Sequence, residues 1–372
     1  ISVEMNDYVV TNATVWKNFL WRRHSQTCTP IQQSLPDKVD LLQVQIIFSV
    51  LYFLVWIVAV SGNSLVLYIV TVKQRSDQAR NTLYVQVSLS VRTIFIGSLA
   101  VSDILMSLTS LPVTAVTIFT RDWVFPSIFC KLIGVFQGGS IFVSSFTLTV
   151  IAVDRMLLIL YPSRAIITFE RALSIVLGIW AIGYSLSLPN GIFSRTVHYF
   201  PYCGTFCEEA WPDSNLEDGS KLGRIYGTAV MTLQFGVPAL ISSFCYWRIS
   251  RVITQQIEKR REQQIMLKES EKKLTSRRTR SNRMMVCMVL GLVLAWLPLN
   301  LINLSRDFNG VTAWFSTIFA FCHVIAMTSA AWNPVIYSWF NPQLRMALKS
   351  IMARSTPTSE RLPLVNVLKM SR

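Results

Sequence analysis

Charge is scarce in this sequence. Only 15% of the 372 residues are Asp, Glu, Lys or Arg, whereas a soluble domain of this length carries about a quarter. Histidine occurs three times, and no His, Cys and carboxylate cluster has metal-ligand spacing. A Gly-rich phosphate loop, a nucleophile elbow, a catalytic triad and an internal repeat are also missing. We therefore predict that the protein is neither a soluble domain nor an enzyme.

Long apolar runs take the place of charge. Seven stretches without Lys or Arg, broken by an acidic residue only at Asp103, each exceed the roughly 20 residues that cross the hydrocarbon core. Backbone polar groups cannot stay unpaired in lipid, so these runs must be helices, and a barrel would show short alternating strands instead. The sequence predicts an all-α membrane protein, a seven-transmembrane helix bundle. The runs are 41–72, 93–120, 132–153, 172–194, 225–247, 284–305 and 308–344.

The positive charges predict the orientation of these spans. Segment 248–283 holds twelve Lys and Arg residues, and the tail after Leu344 holds six against one acidic residue. By the positive-inside rule the N-terminus lies outside and the C-terminus inside the cell. Asn12 begins an Asn-Ala-Thr glycosylation sequon on that outer side. The net charge of +15 flanks apolar runs, so it predicts contacts with acidic lipid or a cytoplasmic partner and not with nucleic acid.

Several residues are costly or disruptive inside a membrane. Asp103 lies within the second run, and a carboxylate at that depth is a functional candidate by default. Asp154 and Arg155 close the third run, where a boundary anchor that snorkels to the lipid surface is the simpler alternative. Three prolines interrupt helical hydrogen bonding and offer hinge positions: Pro238, Pro298 and Pro334.

The seven cysteines divide by their predicted side of the membrane. Four fall on or near the oxidising outer face, where disulfides persist: Cys28, Cys130, Cys203 and Cys207. The other three lie in apolar runs and are predicted to pack within helices: Cys245, Cys287 and Cys322.

Short motifs follow one another in order along the seven runs. Taken together they resemble the rhodopsin-like (class A) G-protein-coupled receptors over nearly all of residues 41–352. A surface helix is expected after the seventh run, over 341–352, where Leu344, Leu348 and Ile351 share one face. The motif residues are Gly62 and Asn63, Leu99 to Asp103, Cys130, Asp154 and Arg155, Trp180, Pro238 and Tyr246, Trp296 to Pro298, and Asn333 to Tyr337.

The resemblance implies roles for these residues. Cys130 would bond Cys207, although Cys203 remains an alternative partner or would join Cys28 in a second bridge. No cofactor is expected other than a structural or allosteric sodium ion, held by a cluster that comprises Asp103, Ser144, Ser329 and Asn333. Arg155 would be held by Asp154 at rest and reach toward a heterotrimeric G protein when the sixth helix swings outward. Coupling and activation are assigned to Asp154, Arg155, Tyr246, Asn333, Pro334 and Tyr337.

The ligand is predicted from a narrower resemblance, to receptors of the neuropeptide Y, neuropeptide F and RFamide group. Gln137 stands where receptors of biogenic amines carry an aspartate, and the seventh run lacks the lysine of visual pigments. An amidated peptide that ends in an Arg-aromatic pair would place its arginine on Asp307 and its terminal amide on Gln137. The full set of ligand-binding candidates is Gln137, Glu208, Glu209, Trp296, Asp307 and His323. A solvated rim charge is the alternative reading of the three acids.

The chain divides into an extracellular tail (1–40), a receptor domain (41–344, with a third inner loop at 248–283) and a cytoplasmic surface helix and tail (345–372). Residues 78–90 exceed the usual first inner loop and represent either an extended loop or a misassigned exon. Expected partners are an amidated neuropeptide, a heterotrimeric G protein, membrane lipid and arrestin. A receptor for a non-peptide ligand and a secondary transporter are the alternatives, but a transporter predicts an inverted repeat that the sequence does not show.

Overall fold

The structure, a computed structural model, describes residues 28–73, 86–161, 166–214, 219–262, 269–309, 314–340 and 345. Within these ranges seven helices are long and apolar enough to cross a membrane, which confirms the predicted seven-helix, all-α membrane fold. The helices are α1 (Leu42–Tyr68, continued by a π-helical turn, Ile69–Lys73), α2 (Gln86–Thr120), α3 (Ser127–Leu160), α4 (Phe169–Phe193), α5 (Lys221–Met231 and Val237–Glu262, joined by a π-helical turn, Thr232–Gly236), α6 (Glu269–Asn309) and α7 (Phe315–Phe340).

Helix α3 is the central element of the bundle. It packs against α2, α4, α5 and α6, while α7 packs against both α6 and α1 and so closes the ring. The inward faces bury side chains such as Phe142 and Met288, whereas the outward faces expose large apolar side chains such as Leu177 and Leu240. This distribution fits a surrounding lipid phase, because apolar surface needs no burial there.

The helices extend beyond the uncharged runs at several ends. Helix α5 continues to Glu262 and α6 begins at Glu269, so most of the predicted third inner loop is helical. Helix α2 begins at Gln86, within the segment predicted as additional inner loop. Phe308 belongs to α6 and not to the seventh run, since α7 begins at Phe315. The length of an apolar run corresponds to the part of a helix that lies in lipid. The helix itself continues into water as long as its backbone hydrogen bonds are made.

A β-hairpin lies on the predicted outer side of the bundle. Strands β1 (Ser194–Val197) and β2 (Phe206–Glu209) pair antiparallel, and Cys207 of β2 is bonded to Cys130 at the start of α3. The structure thus contains the bond that the resemblance implied. It also contains the bridge between Cys28 and Cys203 that the sequence left open.

The segment 29–40 lies against the same end of the bundle. Arg121, just after α2, donates to the carbonyl oxygen of Leu35 at 2.6 Å and contacts Asp40 at 3.0 Å. Asp37 accepts hydrogen bonds from the backbone N–H of Ser316 at 3.1 Å and from the Thr317 hydroxyl. Part of the predicted tail is therefore a strap that contacts α2, α7 and the hairpin region. Asn12 and the predicted surface helix, apart from Arg345, lie outside the described residues.

Candidate functional site

Strand β2 separates the two candidate glutamates. Side chains alternate along a strand, so Glu209 shares the face of Cys207, which is bonded to α3, and Glu208 lies on the other face. Glu208 is paired with Arg195 across the hairpin, and its Oε1 accepts from the Tyr199 hydroxyl at 2.6 Å. Glu209 is consequently the glutamate on the bundle side.

Trp211 holds Glu209 in place. Its indole Nε1 donates to Glu209 Oε2 at 3.1 Å, and its ring packs against Phe193 of α4 and Tyr226 of α5, with centroids 4.4 and 5.1 Å away. The Glu209 side chain is exposed to solvent, but protein atoms surround its carboxyl group. This desolvation raises the pKa of the Glu209 carboxyl above its ordinary value, against the opposing effects of Trp211 and of the Arg306 charge.

Asp307 lies at the outer end of α6 and faces α5. Its Oδ1 accepts from Arg306 Nε at 3.1 Å and from Nη2 at 2.9 Å. Its Oδ2 lies 3.8 Å from the position that a Cβ on Gly227 would occupy, and the Asp307 side chain is 28% exposed. Arg306 therefore contacts one oxygen of Asp307, and the role of this carboxylate as an arginine site stays a prediction.

Gln137 and Trp296 lie within the helical bundle, on α3 and α6. The Gln137 side chain is half-buried and makes no hydrogen bond to any residue in the described ranges, so its amide can still donate and accept. Trp296 is 3% exposed, and its Nε1 donates to the Ser329 hydroxyl of α7 at 2.9 Å. Trp296 thus connects α6 to α7.

His323 lies apart from the other ligand candidates, at the contact between α7 and α1. It is 1% exposed, and its Nδ1 is 3.0 Å from the Tyr52 hydroxyl of α1. Its ring also stacks on Phe319, with centroids 5.9 Å apart. In this arrangement His323 joins α7 to α1, and a ligand reaches it only if these aromatic side chains move.

Asp103 is the centre of a buried polar cluster. Ser144 of α3 donates to its Oδ1 at 3.1 Å, and the Asn333 amide of α7 donates to its Oδ2 at 2.7 Å. With Ser329 they line a cavity whose remaining wall is Trp296 and apolar side chains: Met106, Ile141, Leu148, Met288 and Leu292. One carboxylate and two hydroxyls supply the oxygen atoms that a hard cation prefers, so this donor set fits a sodium ion, with Asn333 orienting the carboxylate.

Four of the six predicted coupling residues lie together at the inner end of the bundle, whereas Asn333 belongs to the Asp103 cluster and Pro334 lies against Gly62. Arg155 Nη2 lies 3.4 Å from Asp154 Oδ2, with side chains 12% and 7% exposed. Tyr246 of α5 lies near Arg155, and Tyr337 of α7 lies near Tyr246. The two tyrosine hydroxyls are buried with no hydrogen-bond partner among the described residues. Polar groups of three helices thus converge around Arg155.

Sequence reasoning missed several residues of these sites. Arg306 directly precedes Asp307 in the sequence, and this adjacency indicates that the two charged side chains can form a pair. Tyr52 gave no signal, because an aromatic residue in an apolar run is usually a packing residue. The same holds for Gln234, which is buried against α3 and carries no motif.

The structure combines a ring of seven spanning helices with a hairpin bonded to α3 and with buried polar groups that lead inward. This is the architecture of a seven-helix transmembrane receptor. The family described as the 7 transmembrane receptor (rhodopsin family) matches residues 62–337. The chain belongs to this family, which is one of receptors, and the predicted membership is confirmed.

Similar proteins are neuropeptide receptors, and two of the three described below carry names within the predicted group. The chain is 58% identical over 322 residues to Neuropeptide receptor 3 of Caenorhabditis elegans, covering 86% of this chain and 82% of the relative. It is 30% identical over 319 residues to the Neuropeptide F receptor of Drosophila melanogaster (80% and 60% covered). It is 29% identical over 326 residues to the human Neuropeptide Y receptor type 2 (86% and 79% covered).

Proposed function

We propose that this chain is a plasma-membrane receptor for an amidated neuropeptide and that it activates a heterotrimeric G protein. The names of its relatives support a peptide ligand, and the family supports signalling across the membrane. The N-terminus lies outside the cell and the C-terminus inside. Acidic lipid and arrestin are further partners on the basic inner side.

The observation that carries the proposal is the set of acids at the outer end of the bundle. Glu209 and Asp307 lie close enough to interact electrostatically with each other and with Arg306. A second guanidinium, that of Arg224, lies over the ring of Phe308 at 5.4 Å from its centroid. A peptide arginine supplies a further positive charge and a forked donor for Asp307 Oδ2. Gln137 then meets the terminal carboxamide of the peptide, since an amide side chain both donates and accepts.

Activation follows from the inner contacts. Asp103, Ser144 and Ser329 would hold a sodium ion, which would offset the charge of the buried carboxylate at rest. The Asp154 contact holds Arg155 until the inner end of α6 moves outward and Arg155 turns toward the G protein, with Tyr246 and Tyr337 beside it. Pro334 in α7 provides a point where that helix adjusts, because it lacks a backbone donor.

The test of ligand class is a calcium and cAMP response screen of transfected cells against amidated neuropeptides. We expect responses to peptides with an Arg-aromatic-amide end and none to the same peptides as free acids, because a terminal carboxylate would bring a negative charge into the bundle and has no N–H to donate to Gln137. Equal responses to amide and acid forms, or responses to lipids alone, would contradict the proposal.

The test of coupling uses Arg155→Ala. The residue lies at the opposite end of α3 from Cys130, so we expect labelled peptide to bind within about threefold of wild type while the G-protein response is abolished. Undiminished signalling at equal surface expression would refute this assignment.

A further inference from the structure

The strap (residues 29–40) is fastened to the hairpin at one end. Cys28, directly before it, is bonded to Cys203 in the loop between β1 and β2. The backbone N–H of Thr29 donates to the carbonyl oxygen of Pro201 at 2.9 Å, and the carbonyl oxygen of Thr29 accepts from the N–H of Cys203 at 3.0 Å. A covalent bond and two backbone hydrogen bonds therefore hold this end against the hairpin.

The middle of the strap lies against the outer end of α2. The Gln32 amide donates to the carbonyl oxygen of Thr120 at 2.9 Å. Arg121, the next residue, contacts both Leu35 and Asp40. The strap is thus anchored between its two ends as well.

The other end of the strap is held at the start of α7. Asp37 accepts hydrogen bonds from Ser316 and Thr317 there. Lys38 Nζ lies 3.8 Å from the ring centroid of Trp314, so a cation–π contact adds to these hydrogen bonds. The strap consequently connects the hairpin, α2 and α7 across one side of the bundle.

The side chain of Val39 in the strap is buried in the bundle. It is 0% exposed, whereas Leu35 in the same segment is 53% exposed. The 3₁₀ turn that contains it, Lys38–Asp40, packs against α1, α2 and α7. Val39 also belongs to the same buried apolar cluster as Ala320 of α7. It therefore lies between the outer ends of these three helices.

An aromatic cluster lies directly inward of the strap. Tyr52 of α1 packs edge-on against Phe119 of α2, with ring centroids 6.1 Å apart. The Tyr52 hydroxyl contacts His323 of α7, on which Phe319 stacks. His323 lies six residues inward of Thr317, or about 9 Å along the helix. The strap and these aromatic side chains together separate His323 from the outer solution.

We propose that the strap is a lid that seals the outer opening between α1, α2 and α7, with Val39 as its plug. It confines a ligand to the side of the opening bounded by α3, α5, α6 and β2, where Gln137, Glu209 and Asp307 are located. His323 then serves the contact between α7 and α1 and not ligand recognition. The lid excludes any solute of the outer solution, so this inference does not depend on the proposed ligand class.

The experiment measures how fast a charged, membrane-impermeant methanethiosulfonate reagent labels a cysteine under the lid on intact cells. The reporter is Ala320→Cys, because Ala320 is 0% exposed and lies on the face of α7 shared by Thr317 and His323. The chain without a reporter gives the background from the native free cysteines. We expect Ala320→Cys to be labelled far more slowly than Val124→Cys, at a position 56% exposed in the loop after α2.

Two variants of the strap add the same charge at different places. Val39→Asp places a carboxylate in an apolar contact and so favours the open strap, whereas Leu35→Asp places it in water. Burial of a valine side chain favours the closed strap by roughly one to two orders of magnitude, so Val39→Asp should accelerate labelling of Ala320→Cys at least about tenfold. Leu35→Asp should leave the rate unchanged.

A deeper position on α7 is the control for loss of the bundle itself. Ala326 is also 0% exposed and lies six residues further inward, so Ala326→Cys should stay unlabelled with every variant of the strap. Equal acceleration at Ala326→Cys would show that the whole bundle opens and would contradict a local lid. Rapid labelling of Ala320→Cys with the strap intact, or an unchanged rate in Val39→Asp, would also overturn the proposal.

A second variant serves if Val39→Asp does not reach the cell surface. Combining Cys28→Ser, Cys203→Ser and Asp37→Ala releases the strap at both ends and leaves Val39 in place. Loss of the covalent bond and of the contacts at the start of α7 should accelerate labelling of Ala320→Cys about two- to tenfold. An unchanged rate would again refute the lid. No peptide is needed, so a failed peptide screen would refute the ligand class without affecting this result.

Discussion

At the scale of single residues, the two oxygens of Asp307 have different neighbours. Oδ1 is contacted by Arg306, and Oδ2 faces Gly227. We predict that Asp307→Ala weakens binding of an arginine-containing amidated peptide by about 2–5 kcal/mol, the range for truncating one partner of a charge pair at an interface. Replacing the peptide arginine by alanine should add little to that loss. A double-mutant cycle of binding constants measures the coupling.

Glu208 provides the control for this cycle, because Tyr199 engages it within the hairpin. Glu208→Ala should change peptide affinity much less than Asp307→Ala. Strictly additive losses would show that Asp307 is a solvated rim charge, and Glu209 would then be the next candidate for the arginine.

At the scale of elements, the start of α7 depends on a side chain distant in sequence. Asp37 accepts from Ser316 and Thr317 in the first turn of α7, where a carboxylate also interacts favourably with the helix dipole. Burial acts to raise the pKa of the Asp37 carboxyl, but hydrogen bonds from Thr317, Val39 and Ser316 outweigh it and keep the pKa below the ordinary value of 3.8.

We predict that Asp37→Ala lowers the stability of the detergent-solubilised receptor by about 0.5–2 kcal/mol at neutral pH. A depressed pKa contributes stability above the unfolded value and loses it as the pH falls through the folded value. The difference between wild type and variant should therefore be constant from pH 5 to 7 and shrink only below about pH 4. Thermal unfolding at several pH values measures it.

Glu170→Gln in the first turn of α4 is the matched control, since its side chain makes no hydrogen bond in the described part of the chain. It should change stability less than Asp37→Ala does. A difference between wild type and Asp37→Ala that already shrinks between pH 7 and 5 would contradict the assignment.

The packing of α1 on α7 relies on a residue without a side chain. A Cβ at Gly62 would lie 2.8 Å from Cγ of Pro334, and the proline ring cannot rotate away. We predict that Gly62→Ala destabilises the receptor by about 1–3 kcal/mol, as overpacking does. Gly178→Ala in α4, where a Cβ would meet nothing within 4 Å, should be neutral or stabilising. Equal melting temperatures for the two variants would refute the close approach.

At the scale of the whole molecule, orientation remains a prediction from charge. An N-terminal epitope tag should be accessible to antibody on intact cells and a C-terminal tag only after permeabilisation. Asn12→Gln should abolish a mobility shift on glycosidase treatment, because Asn12 starts the sequon on the outer side. A C-terminal tag exposed on intact cells would reverse the topology.

Much of the fold was predictable because lipid imposes one requirement along the whole chain. Each of the seven apolar runs overlaps a spanning helix, since every backbone polar group in the hydrocarbon must be paired within a helix. The ends were less predictable, as α5 and α6 show, because charged residues continue a helix once it leaves the lipid. Asp103 was conspicuous for a related reason, since a carboxylate at that depth needs partners.

The sequence by itself determined the seven spans, the positions of the prolines and the motif residues that mark the receptor family. Tertiary structure alone decided which groups meet: Glu209 rather than Glu208 on the bundle side, His323 against Tyr52, and Asp37 at the start of α7. The physical reason is the difference in sequence range over which the two interactions act. Hydrophobicity acts on each residue of a run independently of the rest of the chain, whereas a hydrogen bond needs two particular atoms about 3 Å apart. Residues far apart in sequence reach that distance only after the helices have packed.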